Sequence, residues 1–301
     1  MSEEKVEFIK AKTILSKIKY GNQWYGIDYN MNLYRGCSHG CIYCDSRSNC
    51  YHIENFDTVK GKDKALEILE EELIRKRDKG IIGIGAMSDT YNPQEIKYEL
   101  TRGALKLISK YNYGVSIDTK SDLIIRDIDL LKEINKKNNV IIKFTITTPR
   151  DEIAKIIEPH VCTSSKRLEA IKKLSENGIF TGIMMNPTLP FITDSEEDIK
   201  RLVKLAHENG AKFIHTYMGM TLRENQRDYY FKQLDKNFKG LKEKYIKYYG
   251  NKYHCATPKC KELYKIFKEE CDRYGILYNM KDIIKAYKKE IPEDEQMTLF
   301  I

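Results

Sequence analysis

No stretch of the chain is apolar over the roughly 20 residues that a helix needs to span a bilayer. The first eight residues, Met-Ser-Glu-Glu-Lys-Val-Glu-Phe, also lack the apolar core of a signal peptide. No internal repeat is present, so nothing indicates a repeat architecture. These absences argue against a membrane partner and against secretion, and we expect a cytoplasmic protein.

The composition favours a large folded domain with a smaller appendage. Of the 301 residues, 41% are hydrophobic and 32% are charged, enough for a core beneath a charged surface. The net charge of +8 suits either a polyanionic partner or a lysine-rich solvated surface. In a reducing compartment, the eight cysteines would stay as thiols or bind metal rather than form disulfides.

Short apolar runs alternate with helical patterns through most of the chain. Besides a strand just before Cys37, the runs predicted as strands are 80–86, 114–118, 140–147, 178–185 and 211–218. Helices between successive strands imply right-handed crossovers and a parallel sheet. Six such strands predict an α/β fold, an incomplete (β/α)6 TIM-like barrel.

Composition also divides the chain into parts. We expect an N-terminal lead-in over 1–34, the partial barrel over 35–220, a helical C-terminal extension over 221–290 and a mobile tail over 291–301. Helices are predicted near 62–79, 94–110, 223–249, 259–274 and 280–289.

Polar residues follow several predicted strands. They are Ser88 and Asp89, 119–121, Thr147 and Thr148, and Asn186 with Pro187. Loops at the C-terminal strand ends of such barrels converge on the active site, so these residues are expected to contact substrate and cofactor. Ordinary turn and helix-cap chemistry is the alternative.

Three cysteines are closely spaced. Cys37, Cys41 and Cys44 stand in N-L-Y-R-G-C-S-H-G-C-I-Y-C, with the spacing C-x3-C-x2-C. Thiolates suit iron–sulfur clusters and zinc, and a 4Fe-4S cluster on three cysteines leaves one iron open to an exogenous ligand. Two alternatives stay open: a structural zinc site that includes His39, and unligated structural cysteines.

This loop resembles the signature of radical S-adenosylmethionine (SAM) enzymes. The resemblance implies that SAM chelates the open iron and that a reducing partner such as flavodoxin or ferredoxin supplies the cluster with an electron. The electron passes from the cluster to SAM and cleaves it, and the resulting 5′-deoxyadenosyl radical abstracts hydrogen from substrate. The cofactor supplies this chemistry, while the protein orients the reactants and excludes water. The family also places a residue at the position of Tyr43 against the adenine.

Further stretches resemble the branch that contains spore photoproduct lyase, often described as DNA repair photolyase-like. They are S-D-T-Y-N-P-Q-E (88–95), T-K-S (119–121), R-D-I-D-L-L (126–131), T-I-T-T (145–148), E-P-H (158–160) with Arg167, and N-P-T-L-P (186–190). By this resemblance Lys120, Thr145 or Thr147, and Arg167 are candidates to hold SAM, since a cation suits its carboxylate and a hydroxyl its ribose. For Lys120 and Arg167 the alternative is an exposed charge at a helix end.

Two departures separate the chain from true spore photoproduct lyase. Where the lyase has a hydrogen-donating cysteine this chain has Ala86 and Met87, and where it has a tyrosine after the third cluster cysteine this chain has Asp45. We therefore expect a relative in a separate group with a substrate of its own, a damaged or modified nucleic acid being one candidate. Cys50 is either a donor or an ordinary buried thiol.

Two other classes of function stay open beside this interpretation. One is a non-catalytic, metal-stabilised nucleic-acid-binding module, and the other is a genuine photoproduct lyase. A basic and aromatic stretch over 229–253 fits nucleic-acid contact, or amphipathic helices that bury their rings and solvate their lysines.

Two C-terminal signals are weaker. Cys255, Cys260 and Cys271 are candidates for a second metal site, or simply pack within helices. In the tail, Gln296, Leu299 and Phe300 resemble the Q-x2-L-F peptide that docks on the bacterial DNA sliding clamp, where two apolar side chains would fill a pocket. A tail that folds back on the domain is the alternative.

Overall fold

A sheet of parallel strands forms the centre of the structure, a computed structural model that describes residues 7–19 and 24–289. The strands are β1 (Phe8–Ile9), β2 (Leu15–Lys17), β3 (Tyr29–Met31), β4 (Tyr34–Arg35), β5 (Lys60–Lys62), β6 (Ile81–Ile84), β7 (Gly114–Thr119), β8 (Val140–Thr145), β9 (Phe180–Met185), β10 (Phe213–Thr216), β11 (Gly219–Thr221) and β12 (His254–Ala256).

Helices follow the strands on the outside of the sheet. They are α1 (Ala65–Arg75), α2 (Glu95–Tyr98), α3 (Leu100–Lys110), α4 (Ile128–Lys137), α5 (Asp151–Ile157), α6 (Ser164–Glu176), α7 (Glu196–Glu208), α8 (Gln226–Asn237), α9 (Leu241–Tyr249), α10 (Cys260–Tyr274) and α11 (Met280–Tyr287). No helix within the described ranges is long and apolar enough to cross a bilayer.

The main sheet has the order β10-β9-β8-β7-β6-β3-β2. Each neighbouring pair from β3 to β10 is parallel, and β2 adds an antiparallel edge. Within the described residues the two edge strands do not pair with each other, so the barrel is open. The predicted (β/α)6 partial barrel is confirmed.

The first barrel strand is not the predicted one. The residues just before Cys37 form β4, which belongs to a small separate sheet with β1 and β5. The first parallel strand is β3, which lies inside the predicted lead-in. Three residues are too short to show a period-2 pattern, which explains why the sequence did not reveal this strand. The division of the chain into parts stays a prediction.

Two predicted helices are interrupted. The helix expected over 94–110 breaks at Glu99, where φ is +47°, into α2 and α3. The helical stretch expected near 223–249 breaks at Gly240, where φ is +77°, into α8 and α9. Glycine adopts this left-handed conformation without steric cost, so a helix commonly ends there.

The last helix, α11, packs against residues of the N-terminal segment and of the edge strand β10. Tyr25, Phe213, Ile283 and Tyr287 share one apolar cluster, and the Tyr287 hydroxyl donates to the carbonyl of Tyr25. Strand β10 also bonds to the segment before α11 through its backbone, because the amide of Ile214 donates to the carbonyl of Leu277 at 2.8 Å. The upper end, where the strands terminate, stays accessible.

Candidate functional site

The cysteine loop is fixed to the rest of the fold through its backbone. The amide of Cys37 donates to the carbonyl of Phe56 at 2.7 Å, and that of Ile42 to the carbonyl of Ile157 at 2.9 Å. The side chain of Gln226 donates to the carbonyl of Tyr43 at 2.9 Å. Three separate parts of the chain therefore set the position of the loop.

Glycine is required at two points of this loop. Gly36 has φ +81°, and a Cβ there would lie 2.3 Å from the carbonyl oxygen of Thr58. Gly40 has φ +68°, and a Cβ there would lie 2.8 Å from the ring of His160. The left-handed backbone and the close approach both favour glycine.

Cys37, Cys41 and Cys44 all line one cavity of about 390 Å³, and all three are free thiols. Within the described part of the chain, no three His, Cys, Asp or Glu side chains converge on a position for a single metal ion. In a 4Fe-4S cluster the cysteines bind different iron atoms, so their sulfurs stand further apart than in a one-metal site. The soft donors around one cavity fit such a cluster.

Cys37 has a buried polar environment. His39 hydrogen-bonds to it, and the His39 Nδ1 lies 3.6 Å from the Asp89 carboxylate. Burial acts to raise the pKa of the Cys37 thiol, but the hydrogen bond and charge of His39 outweigh it and lower the pKa. For His39 itself, burial lowers the pKa and Asp89 raises it, with a net rise.

Asp89 links the ends of two strands to the cysteine loop. Its carboxylate accepts from the hydroxyl of Thr119 at 2.8 Å and from the amide of Lys120 at 2.7 Å. It also accepts from the amide of Tyr91 at 2.9 Å. The side chain is 7% exposed, so these charge-assisted bonds are made away from water and hold the site together.

Some of the residues predicted at the strand ends converge with the cysteines on this cavity: Asp89, Thr119, Lys120, Asn186 and Pro187 line it. Ser88, Ser121, Thr147 and Thr148 do not line it. Ala86 and Met87 line it as well.

Three predicted SAM contacts lie at this cavity. Tyr43, Lys120 and Thr145 line it, and the Lys120 ammonium lies 6.0 Å from the centre of the Tyr43 ring. Burial lowers the pKa of Lys120, while the surrounding thiols and carboxylates raise it, and the net shift is upward. Lys120 is thus a half-buried cation at the cavity rather than an exposed helix-end charge.

The other two predicted contacts, Thr147 and Arg167, do not line this cavity in the described structure. Arg167 is fully buried and lies 2.5 Å from Glu158. Its remaining donors bond to the carbonyls of Thr145 and Cys162, between 2.7 and 3.0 Å. Glu158 also accepts from the Tyr43 hydroxyl, so Arg167 supports Tyr43 from behind. The Thr147 hydroxyl is buried without a hydrogen-bond partner among the described residues.

The barrel interior holds charged residues that the sequence interpretation missed. Lys143 is 1% exposed and its ammonium lies 2.9 Å from Asp118, which lines the cavity. The same ammonium lies 4.5 Å from the Tyr25 ring centre. The signal was present, since Lys143 is a lone charge in the apolar strand Val140–Thr145.

Asp45, one of the two departures from the lyase pattern, has a structural role. It accepts from the hydroxyl of Tyr51 at 2.8 Å, from that of Thr221 at 3.1 Å and from Arg223 Nε at 2.9 Å. It therefore attaches β11 and the residues just after it to the cysteine loop. Cys50 is exposed rather than buried.

The C-terminal cysteines are not brought together. Cys255 packs in one apolar cluster, whereas Cys271 lies in another, with Cys260 packed against it. The packing interpretation is the one the structure supports. The predicted clamp peptide, Gln296, Leu299 and Phe300, lies outside the described residues, as does the predicted mobile tail.

Comparison with known proteins assigns this site to a family. A model of the radical SAM superfamily matches residues 31–206, more than half of the chain. The chain belongs to the radical SAM superfamily. The predicted membership is confirmed, and the protein is a radical SAM enzyme.

Relatives of this radical SAM enzyme are similar over most of its length. An uncharacterised protein of Methanocaldococcus jannaschii is 36% identical over 188 residues, which cover 62% of this chain and 69% of that protein. A variant of spore photoproduct lyase superposes with a TM-score of 0.67 at 15% identity, over 91% of this chain and 82% of the lyase. The lyase complexed with dinucleoside spore photoproduct gives a TM-score of 0.66 at 16% identity, over 88% and 78%. At these identities the likeness shows a shared fold.

Proposed function

We propose that this radical SAM enzyme holds a 4Fe-4S cluster on Cys37, Cys41 and Cys44 and cleaves SAM reductively to act on a nucleic acid. The main supporting observation is that three free thiols line the same cavity as the half-buried cation Lys120. Bound together, cluster and SAM would supply a 5′-deoxyadenosyl radical that abstracts hydrogen from substrate.

The residues of the chain would orient SAM and exclude water. Lys120 is placed to pair with a carboxylate, and Thr145 offers a hydroxyl at the same cavity. Tyr43 presents its ring while Glu158 holds its hydroxyl. We propose that Arg167 acts on SAM through Glu158 and Tyr43. We also propose that Thr145, rather than Thr147, supplies the hydroxyl that contacts SAM.

A nucleic-acid substrate is supported by two observations. The net charge of +8 favours a polyanion. A protein of the same fold binds a dinucleoside photoproduct. Ala86 and Met87 line the cavity where the lyase pattern has a hydrogen-donating cysteine, so we favour a substrate distinct from that of the lyase.

The electron donor would be a small redox protein such as flavodoxin or ferredoxin. A cytoplasmic setting suits this partner and keeps the eight free thiols reduced. The sliding clamp remains a predicted partner of Gln296, Leu299 and Phe300.

Anaerobic reconstitution tests the proposal. The chain should bind about four irons and, once reduced, convert SAM to 5′-deoxyadenosine. Cys37→Ala, Cys41→Ala and Cys44→Ala should each lose iron and cleavage. Cys260→Ala, a half-buried thiol outside the cavity, should retain both and serves as the control.

Other outcomes would replace the proposal. An iron-free chain with one zinc would support the non-catalytic binding module. Turnover of irradiated thymine dinucleotides would support a genuine photoproduct lyase. An intact, SAM-cleaving cluster that is inactive on those dinucleotides would remove the lyase alternative.

A further inference from the structure

Three exposed rings are grouped on one side of the cavity. Trp24 is 43% exposed, Tyr217 is 40% exposed and Tyr253 is 38% exposed. Trp24 and Tyr217 line the cavity itself, and Tyr253 lines a neighbouring groove of about 700 Å³. Exposed apolar side chains are normally scattered, so a group beside a reaction cavity indicates a binding surface.

The rings follow one another from the cavity toward the neighbouring groove, beside the antiparallel strand pair β11 and β12. The Trp24 ring centre lies 5.2 Å from that of His215, two residues before Tyr217 along the chain. Beyond Tyr217, the ring of His254 lies 6.3 Å away and that of Tyr253 lies 4.3 Å from His254. The Tyr217 hydroxyl and His254 Nδ1 are 3.4 Å apart. Strands β11 and β12 and the residues just before them thus carry the rings from the cavity to the groove.

A cation stands at the far end of this series. The Arg223 guanidinium lies 5.0 Å from the Tyr253 ring centre, and Asp45 holds its Nε at 2.9 Å. The groove beyond it is lined by Asn49, Asn225 and Asn251, by the acidic Glu224 and Asp228, and by a second cation, Arg227. Two cations and two carboxylates balance in this lining, so the flat rings rather than an excess of positive charge are the recognition feature.

We propose that Trp24, Tyr217, His254, Tyr253 and Arg223 form a binding track for a single-stranded nucleic acid that leads one nucleotide into the cavity. This rests on the proposed function, which it deepens by naming the strand state and the contacts. Every base offers a flat face to a ring, and Arg223 suits a phosphate. In a duplex the base faces are stacked on each other, so the track selects unpaired strands.

Fluorescence anisotropy with fluorescein-labelled oligonucleotides tests the track. The probes are a 12-nucleotide thymidine strand, a 12-nucleotide uridine strand and a matched DNA duplex. Tyr217→Ala and Tyr253→Ala should each weaken single-strand binding by about 5- to 150-fold, the range for losing one stacked base. Tyr253→Phe keeps the ring and should restore binding. Equal binding of the thymidine and uridine strands identifies a track that does not read the sugar.

Tyr248→Ala is the matched control. Tyr248 is 53% exposed but lies on α9, within the lysine-rich helical stretch. Its substitution should leave binding unchanged. A loss with Tyr248→Ala and none with Tyr253→Ala would overturn the track and assign binding to the helices.

Salt dependence tests Arg223 separately. For single strands, each neutralised phosphate contributes a slope of about −0.7 in log affinity against log salt. Arg223→Gln should therefore reduce the slope by about that amount. An unchanged slope would remove Arg223 from the track, and tighter binding of the duplex than of either single strand would overturn the proposal.

Oligonucleotide binding can be measured on protein without the cluster, because the proposed contacts are all made by side chains. Binding is recorded on the full chain before and after reconstitution. If wild-type protein cleaves SAM but ignores single strands, the track fails and the cluster proposal stands. If single strands bind through Tyr217 and Tyr253 but no cluster assembles, the proposed function fails and the binding surface stands.

Discussion

The ammonium of Lys143 pairs with the carboxylate of Asp118 at 2.9 Å inside the barrel, where Lys143 is 1% exposed. Asp118 is 25% exposed and faces the reaction cavity. A buried ion pair is seldom a net gain in stability over packed apolar side chains, because both charges lose hydration. The pair is therefore better explained by what it presents to the cavity: a carboxylate held in one orientation with its charge balanced.

Removing one partner of this ion pair should lower the stability of the fold, because the other charge stays in the barrel without a counter-charge. Asp118→Asn leaves a buried ammonium without a counter-charge, and we expect the free energy of unfolding to fall by about 3 kcal/mol. Lys143→Met replaces the cation by an apolar chain of similar length and leaves a carboxylate that can reach the cavity, so it should cost less. Urea unfolding of samples with equal iron content measures both. A larger loss for Lys143→Met would contradict this account.

Arg167 allows a test of whether a residue contacts SAM directly or only supports the residues around it. Its guanidinium is held by Glu158 and two carbonyls in a fully buried position, and it does not line the cavity. Arg167→Met leaves Glu158 as an unpaired buried charge, so we expect a loss of about 3–5 kcal/mol in unfolding free energy. Lys120→Met should instead weaken SAM binding with a smaller loss of stability. Equilibrium dialysis with SAM and urea unfolding on both variants separate the two roles. Equal effects of the two substitutions on SAM binding would contradict a role for Arg167 that is limited to support.

The sequence was informative where chemistry is local. The spacing of Cys37, Cys41 and Cys44 predicted the loop, and the strand and helix alternation predicted an open barrel of six parallel strands, as found. It was uninformative where contacts join distant segments. Nothing near Arg167 in the chain shows that Glu158 and two carbonyls use up its donors. Equally, β3 is too short to carry a periodic pattern, so the sequence pattern points to the segment just before Cys37 as the first strand.

His39 should tune the cluster that we propose. It hydrogen-bonds to Cys37 and lies beside Asp89, and the side chains of His39 and Asp89 are only 5% and 7% exposed. Hydrogen bonds to cluster sulfurs help to set the reduction potential, and outer partners such as Asp89 orient the donor. We expect His39→Leu to lower the cluster potential, because the reduced, more negative cluster loses a donor.

Spectroelectrochemical titration of the reconstituted variants measures this shift. His52→Leu is a suitable control, since His52 is exposed and follows the cysteine loop in the chain. An unchanged potential in His39→Leu, at full iron content, would show that the hydrogen bond to Cys37 does not act on the cluster.

Gly36 and Gly178 allow backbone strain to be separated from steric collision. Both have positive φ, +81° and +74°, so alanine at either pays the left-handed penalty of about 1–2 kcal/mol. At Gly178 an added Cβ meets nothing within 4 Å, whereas at Gly36 it would lie 2.3 Å from the Thr58 carbonyl oxygen. Gly36→Ala must therefore displace the backbone that positions Cys37. We expect it to lose iron on reconstitution while Gly178→Ala retains it, as measured by iron and sulfide content. Equal iron in the two variants would show that the loop tolerates the displacement and that its close approach to Thr58 does not position the cysteines.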